Sequence, residues 1–206
     1  MAAPAGRVEG GPPSRMSRFR ILALAGLLTG VFVGLGLWQI ERRSWKLDLI
    51  ARVDARIHAQ AVPAPGPGDW PGLEPADAEY RKVALDGVYL PGPETLVKAV
   101  TVKGPGFWVL APFRSERGFT VLVNRGFVPE GRSDPSARSG AVSRGRTHLA
   151  GLLRLSEPGG GFLRSNDPAG GRWYSRDVAA IAQARGLGTV APYFVDADAE
   201  SEPGPR

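Results

Sequence analysis

The sequence of 206 residues contains no cysteine. This absence excludes disulfide bonds, thiol catalysis, copper relay through thiolates and zinc sites built on cysteine. Histidine is almost as scarce, because only His58 and His148 occur and neither lies near a second obvious metal ligand in the sequence. We therefore expect no metal site made by the protein, and a folded domain that is stabilised by its core alone.

Sequence motifs of catalysis are missing as well. No Gly-x-Ser-x-Gly turn occurs, and the glycine runs lack the strand-to-helix context and the Lys-Ser/Thr ending of a phosphate-binding loop. The carboxylates of Glu116, Glu130, Asp134 and Glu157 all lie in predicted turns. We predict that the protein is not an enzyme, and a hydrolase with paired carboxylates is the alternative.

The formal net charge is +6, and arginines along the whole chain carry it. Nucleic acid is the obvious partner for such a chain, but zinc-ligand spacing, a helix-turn-helix pattern and an aromatic RNA-binding motif are all absent. Anionic lipid or an anionic ligand fits better, because the chain also contains a long apolar run. We therefore predict no nucleic-acid partner.

The apolar run spans residues 21–38 and contains neither a charge nor a proline. At about 1.5 Å per residue, a helix of this length spans the hydrocarbon core of a bilayer. The run exceeds the apolar region of a signal peptide, and no small-residue cleavage site follows it. We predict a retained transmembrane helix over 19–40, preceded by a disordered basic tail over 1–18. The alternatives are a cleaved signal peptide and a buried helix of a soluble protein.

Three glycines, Gly26, Gly30 and Gly34, recur every four residues and therefore share one face of this helix. Such a ridge of small residues lets two membrane helices approach closely, which predicts helix packing at this face. The alternative is that the spacing only reflects the glycine-rich composition of the chain. Trp38 and Trp45 lie where an interfacial aromatic belt is expected.

The remaining residues predict an extension, a linker and one domain. Apolar residues keep a spacing of three to four, which predicts an amphipathic helical extension over 41–60. Five prolines then predict an extended linker or lid over 61–79, anchored by Trp70. Residues 80–196 are predicted to form the domain, and 197–206 are predicted to form a frayed tail. Because a short tail precedes the helix and a large domain follows it, we expect the domain to be exported.

From residue 80 onward the hydrophobic period changes to two, which predicts strands over 80–90, 95–102, 147–155 and 190–195. Apolar runs over 107–113 and 119–127 surround a glycine-containing turn and predict the buried central hairpin of a sheet. The polar composition of residues 131–146 predicts a mobile loop. A short helix is predicted between an Asp177 cap and a Gly186 stop. The fold class is mainly β (α+β), with an antiparallel, barrel-like or half-barrel β domain and short helices.

Two polar residues, Asn124 and Arg125, follow directly on an apolar strand. A guanidinium at the end of a buried strand needs a carboxylate, a carbonyl or an anionic ligand. One interpretation is an internal salt bridge to Asp177 or Asp86. The other is contact with an anion at a binding surface.

Five short motifs, in order along the chain, resemble the Surfeit locus protein 1 family, called Shy-one in yeast. The motifs are Gly36-Leu37-Trp38-Gln39 with Arg42 and Trp45-Lys46, Tyr80-Arg81-Lys82-Val83 with Gly87, Gly106-Phe107-Trp108-Val109-Leu110-Ala111-Pro112-Phe113, Val121-Leu122-Val123-Asn124-Arg125-Gly126-Phe127-Val128-Pro129, and Asn166-Asp167-Pro168 with Trp173-Tyr174 and Arg176-Asp177. Each motif alone is weak, but five in this order over residues 36–195 are specific. Two departures are Phe127, where tryptophan is usual, and Ser175, where an aromatic residue is usual.

The resemblance implies a non-enzymatic assembly factor for cytochrome c oxidase, anchored in a bacterial inner membrane with its domain in the periplasm. Such a factor helps haem a to reach subunit I, or stabilises that subunit, in contact with the haem a synthesis machinery. Haem a is then a transient ligand. The implied contact residues are Trp38, Gln39, Arg42, Trp45, Asn124 and Arg125, with Arg42, Arg43 and Lys46 available for haem propionates.

Two alternatives stay open beside this interpretation. The first is a membrane-tethered periplasmic module that binds anionic lipid or an envelope component and has no oxidase role. The second concerns topology, because the family typically carries a second transmembrane helix after the β domain, preceded by a histidine-bearing motif. The sequence contains neither feature, so a single-pass member and a piece of a longer protein are both compatible with it.

Overall fold

The computed structural model describes residues 15–92, 94–133, 145–161 and 163–198. The chain forms two compact units, residues 1–52 and 53–206, which are described separately. Three sequence predictions concern residues outside the described ranges: the tail over 1–14, the part of the polar loop over 134–144 and the tail over 199–206.

A single helix, α1 (Arg15–Ile57), contains both the predicted membrane segment and most of the predicted extension. Its apolar side chains are exposed, for example Leu22 at 71% and Ile40 at 68%. The segment Phe19–Ile57 is long and apolar enough to cross a membrane, and none of its apolar window is buried inside the structure. Because these side chains find no protein core, lipid is the environment that suits them.

The described part of the second unit contains seven strands. They are β1 (Val62–Pro63), β2 (Lys82–Tyr89), β3 (Thr95–Thr101), β4 (Gly104–Ser115), β5 (Thr120–Pro129), β6 (Thr147–Leu155) and β7 (Val190–Ala197). They form one sheet in the order β1-β2-β6-β7-β5-β4-β3, and an additional pairing of β2 with β4 closes it into a barrel-like structure. Two short helices, α2 (Pro75–Ala78) and α3 (Val178–Arg185), accompany the sheet, with two 3-10 turns, Trp70–Gly72 and Glu130–Arg132. The predicted barrel-like β domain with short helices is therefore confirmed.

The sheet is mixed rather than wholly antiparallel. β1 runs parallel to β2, and β5 runs parallel to β7, whereas the other five pairings are antiparallel. The chain between β6 and β7 contains α3, and this connection returns β7 in the direction of β5. Alternation of apolar residues reports which face a side chain takes and not the direction of its strand, so the sequence pattern could not predict these two pairs.

The core lies on both faces of β5. Val121 and Val123 belong to one apolar cluster, which also contains Phe113. Leu122 points to the opposite face and belongs to a second cluster, with Trp173. A strand that is buried on both faces needs a nearly continuous apolar sequence, which is the pattern that predicted the central hairpin.

Helix α3 has the two ends that the sequence predicts. The Asp177 side chain accepts a hydrogen bond from the Ala180 amide at 3.1 Å, and Gly186 ends the helix with φ 62°. Val178 and Ile181 are buried and join the second cluster. The cap and the stop therefore hold an apolar helical face against the sheet.

Residues 61–79 are packed on the domain, unlike the extended linker that their prolines predict. Ala64 is 1% exposed. The Pro65 carbonyl accepts hydrogen bonds from Tyr193 Oη at 2.6 Å and from Trp70 Nε1 at 3.1 Å. The Trp70 ring meets the Phe119 ring edge-on, with 5.8 Å between centroids. The prolines donate no backbone hydrogen bonds, and donors on the side chains of the domain satisfy the carbonyls of the segment instead.

Closure of the sheet between β2 and β4 depends on Gly87. This residue is paired with Ser115 of β4 and with Thr147 of β6. A Cβ atom at position 87 would lie 2.1 Å from the Arg114 carbonyl oxygen and 2.7 Å from Phe113 Cε1. Because the nearest atom belongs to the backbone, only glycine allows the two strands to approach this closely.

We expect Gly87→Ala to destabilise the domain by about 2 kcal/mol, as overpacking does. The thermal midpoint of the full chain in detergent should then fall by about 4–8 °C. Gly68→Ala is the matched control, because a Cβ atom at that position meets nothing within 4 Å. Equal midpoints for the two variants would contradict this account of closure.

Candidate functional site

Of the four predicted contact residues in α1, three lie close together on one side of the helix. At about 100° per residue, Trp38, Arg42 and Trp45 fall within an arc of about 60°, and Gln39 lies about 60° beyond Arg42. The two indole rings are 50% and 60% exposed. The Arg42 guanidinium carbon lies 5.2 Å from the centroid of the Trp38 ring. Trp38, Arg42 and Trp45 are called the helix stripe below, and they present one cation between two aromatic rings.

The glycine ridge in α1 is open. A Cβ atom at Gly26, Gly30 or Gly34 would meet nothing within 4 Å. The ridge is therefore accessible to another helix, and the packing predicted for it stays a prediction.

Asn124 and Arg125 lie in the middle of β5, and not at a strand end as the sequence suggests, and they contact different partners. Asn124 Nδ2 donates to Asp196 Oδ1 at 2.6 Å, and Asn124 Oδ1 accepts from the Gly126 amide at 3.1 Å. The Arg125 side chain is 2% exposed, and its Nη1 donates to Glu94 Oε1 at 2.7 Å. Both residues are thus held by carboxylates of the same domain.

The structure pairs Arg125 with Glu94 instead of the two carboxylates that the sequence suggested. Asp177 caps α3, and Asp86 lies 2.8 Å from His148 Nδ1. Arg125 also lies over the Tyr89 ring, 5.6 Å from its centroid. A buried pair of this kind holds the strand in place, since removal of either charge takes a buried charged partner away from the other one.

A larger ion-pair network, which sequence reasoning missed, surrounds Asp196. Arg154 Nη1 donates to Asp196 Oδ2 at 2.9 Å, and Arg154 Nε donates to Glu79 Oε1 at 2.7 Å. Arg176 Nη1 lies 3.7 Å from Asp196 Oδ1, and Arg176 also forms an ion pair with Glu157. The network therefore joins β6 and β7 to Glu79, which precedes β2, and to Arg176, which precedes α3.

Aromatic rings cover the two arginines of this network. Arg154 lies 4.7 Å from the centroid of Tyr80, and Arg176 lies 4.6 Å from the centroid of Phe194. Tyr80 has φ 63°, which is uncommon for a residue other than glycine. Its amide donates to the Leu153 carbonyl at 2.9 Å, so the unusual backbone conformation fixes the preceding Glu79 against β6.

The network keeps its groups charged. Burial acts to raise the pKa of Glu157, but the hydrogen bonds and the positive charge of Arg176 outweigh it and hold this pKa below the ordinary 4.5. Burial likewise opposes the charge of Arg154, yet Glu79 and Asp196 raise the pKa of its guanidinium. Groups that stay ionised near pH 7 can position strands and bind opposite charges, and they are poor donors of protons.

The described residues offer little chemistry beyond these pairs. Among them, no group of three or more His, Asp or Glu side chains could hold a metal ion. Two of the carboxylates considered for hydrolysis, Glu116 and Glu157, form ion pairs with Arg146 and Arg176. A cavity of about 510 Å³ lies beside α3, and its lining includes no carboxylate.

The fold and the site together define a class: a β-barrel domain, with strands joined by buried and half-buried ion pairs, that follows a long apolar helix. The sequence model of the SURF1 family matches residues 26–206. The chain therefore belongs to the SURF1 family, as its motifs suggest.

Individual relatives agree with the family match. The chain is 35% identical to Surfeit locus protein 1 of Mus musculus, over 85% of this chain and 60% of that protein. It is 34% identical to Surfeit locus protein 1 of Homo sapiens, over 82% of this chain and 59% of that protein. It is 35% identical to a SURF1-like protein of Monosiga brevicollis, over 84% of this chain and 68% of that protein. The chain thus spans about 60% of the length of the mammalian relatives that it matches.

We expect Arg125→Met to lower the free energy of unfolding by about 3 kcal/mol, because it removes the buried charge that pairs with Glu94. Arg146→Met is the control, since it breaks the ion pair with Glu116 whose arginine side chain is 77% exposed. The control should leave chemical denaturation of the full chain unchanged. A similar fall in the free energy of unfolding in both variants would show that the buried Arg125 pair stabilises the domain no more than the exposed Arg146 pair does.

A pH series tests the pair between Glu157 and Arg176. Because the pKa of Glu157 is lowered from 4.5 in the folded protein, its stabilising effect is present above about pH 4.5 and is lost as pH falls through the lowered value. Glu157→Gln should therefore lower the thermal midpoint at pH 7, and the difference from the unaltered chain should shrink toward pH 3. In an Arg176→Met background, Glu157→Gln should lower the thermal midpoint at pH 7 much less. An undiminished fall would contradict the assignment of Arg176 as the partner that stabilises ionised Glu157.

Proposed function

We propose that the chain is an assembly factor for cytochrome c oxidase, anchored in the inner membrane by α1 with its domain in the periplasm. Membership of the SURF1 family over residues 26–206 is the observation that carries this proposal. The proposed task is to assist insertion of haem a into subunit I, or to stabilise that subunit during insertion, in contact with the haem a synthesis machinery.

The helix stripe is the proposed contact with the oxidase or with haem a. It lies at the end of the apolar run, where interfacial tryptophans are favoured. The guanidinium of Arg42 suits a carboxylate such as a haem propionate, and the indole rings of Trp38 and Trp45 suit an aromatic or apolar surface. The glycine ridge would place α1 against a helix of subunit I.

The domain is proposed to contact a protein partner and not to ligate haem iron. The only two histidines of the chain lie at its surface. His58 Nδ1 lies 2.9 Å from the Asp54 carbonyl oxygen, and His148 Nδ1 lies 2.8 Å from Asp86 Oδ1. Neither histidine lines the cavity beside α3 or the cavity of about 460 Å³ around residues 63–81. We therefore assign haem contacts to charge and stacking at the helix stripe.

Variants expressed in a strain that lacks the gene test the proposal. Deletion should lower haem a absorbance in the membranes, and Arg42→Ala combined with Trp45→Ala should restore less absorbance than the unaltered chain. Arg52→Ala is the matched control, because it removes the same charge from an exposed position further along α1. Immunoblots must show equal amounts of each variant. Unchanged haem a absorbance in the deletion strain would refute the proposed function.

A further inference from the structure

The turn between β3 and β4 exposes two valines. Val100 is 86% exposed and Val102 is 106% exposed. In the described part of the domain, the only other large apolar side chain with comparable exposure is Leu163, at 89%. Each exposed valine leaves apolar surface in water, which is unfavourable unless another surface covers it.

Folding of the turn does not account for the valine at its apex. Thr101 pairs with Gly104, so Val102 and Lys103 form the two-residue turn. The Lys103 amide donates to Thr101 Oγ1 at 3.1 Å, and Gly104 supplies φ 92°. These contacts define the turn without the Val102 side chain, and turn positions normally favour Gly, Asn, Asp or Ser.

The exposed residues lie together. Lys98 and Val100 are two apart in β3 and therefore share a face of the sheet. Pro105 is paired with Val100 and lies on that same face. We call Lys98, Val100, Val102, Lys103 and Pro105 the hairpin tip. It is an apolar projection that contains two lysines, Lys98 in β3 and Lys103 in the turn. All five residues are exposed.

The chain segment that forms the hairpin tip carries charge of one sign. Residues 95–113 contain two lysines and no aspartate or glutamate. Lysines near a bilayer are attracted to anionic headgroups, and their long stems let neighbouring apolar side chains enter the interface while the ammonium groups stay in water. The hairpin tip therefore complements the headgroup region of an anionic bilayer in charge and in polarity.

We propose that the hairpin tip inserts into the interface of an anionic bilayer, as a second membrane contact besides α1. A protein partner fits less well, because two valines and a proline provide far less area than the roughly 800 Å² per partner of a standard protein interface. A small contact suffices for a bilayer, since the membrane helix of the same chain keeps the lipid at high effective concentration. The inference does not rest on the role in oxidase assembly.

A single fluorescent label tests the insertion, because the chain contains no cysteine of its own. Two variants are each labelled with the environment-sensitive dye NBD. They are Val102→Cys and, as a control, Gln183→Cys at an exposed position of α3. The full-length chain is reconstituted into vesicles of phosphatidylcholine, with or without phosphatidylglycerol. In the anionic vesicles we expect a blue-shifted emission at position 102 and a loss of its fluorescence when nitroxide-labelled lipids are added. Position 183 should show neither change.

The lysines provide the matched comparison. Lys98→Gln with Lys103→Gln should weaken insertion in anionic vesicles by at least about tenfold. Arg114→Gln with Arg164→Gln removes the same charge from exposed positions outside the hairpin tip and should leave insertion unchanged. Thermal unfolding confirms that each variant folds.

Three results would overturn the proposal. The first is an unquenched label at position 102 in anionic vesicles. The second is equal quenching at positions 102 and 183, which would mean that the domain touches lipid without preference for the hairpin tip. The third is a label at position 102 that becomes buried only in native membranes and stays insensitive to nitroxide lipids, which would indicate a protein partner. Haem a content of strains that express the lysine variants is a separate readout, so failure of this inference and failure of the assembly role are distinguishable.

Discussion

The carboxylate of Asp196 is the point on which three strands of the domain depend. It lies in β7 and accepts from Asn124 of β5 at 2.6 Å and from Arg154 of β6 at 2.9 Å. Its side chain is only 25% exposed, so each charge has lost part of its hydration. Loss of one member would leave its partners half-buried with less compensation, which costs more than the intact pair contributes. The network therefore makes the three strands interdependent more than it makes each of them stable.

The pair between Arg125 and Glu94 applies the same constraint at the start of β3. Arg185, at the end of α3, adds to it, because its Nε donates to Thr95 Oγ1 at 3.1 Å and its Nη2 donates to the Glu94 carbonyl at 3.3 Å. One end of β3 is thus fixed by two arginines, whereas its other end leads into the exposed hairpin tip. The hairpin tip is thus carried by a strand whose opposite end is anchored. Support on a rigid element of this kind favours a precise surface contact.

Local signals in the sequence predict the elements well, and distant pairings poorly. The Asp177 cap and the Gly186 stop set the ends of α3 through contacts within a few residues, so the sequence alone contains the information. The partners Glu79 and Arg154 are 75 residues apart. For Arg125 the sequence suggested Asp177 or Asp86, and only the strand register shows that Glu94 is the partner. Residues 61–79 show a further limit, since prolines are typical of linkers and also of packed segments whose carbonyls receive side-chain donors.

The contacts that the chain offers are suited to the proposed transfer of a cofactor, because transfer requires release. An exposed guanidinium paired with a carboxylate contributes about 1 kcal/mol or less, so a propionate held by Arg42 would be free to leave. The exposed guanidinium of Arg42, which lies over the Trp38 ring, would provide such a weak and reversible contact. In the proposed role, a contact of this kind would favour handover to a partner over storage in the domain.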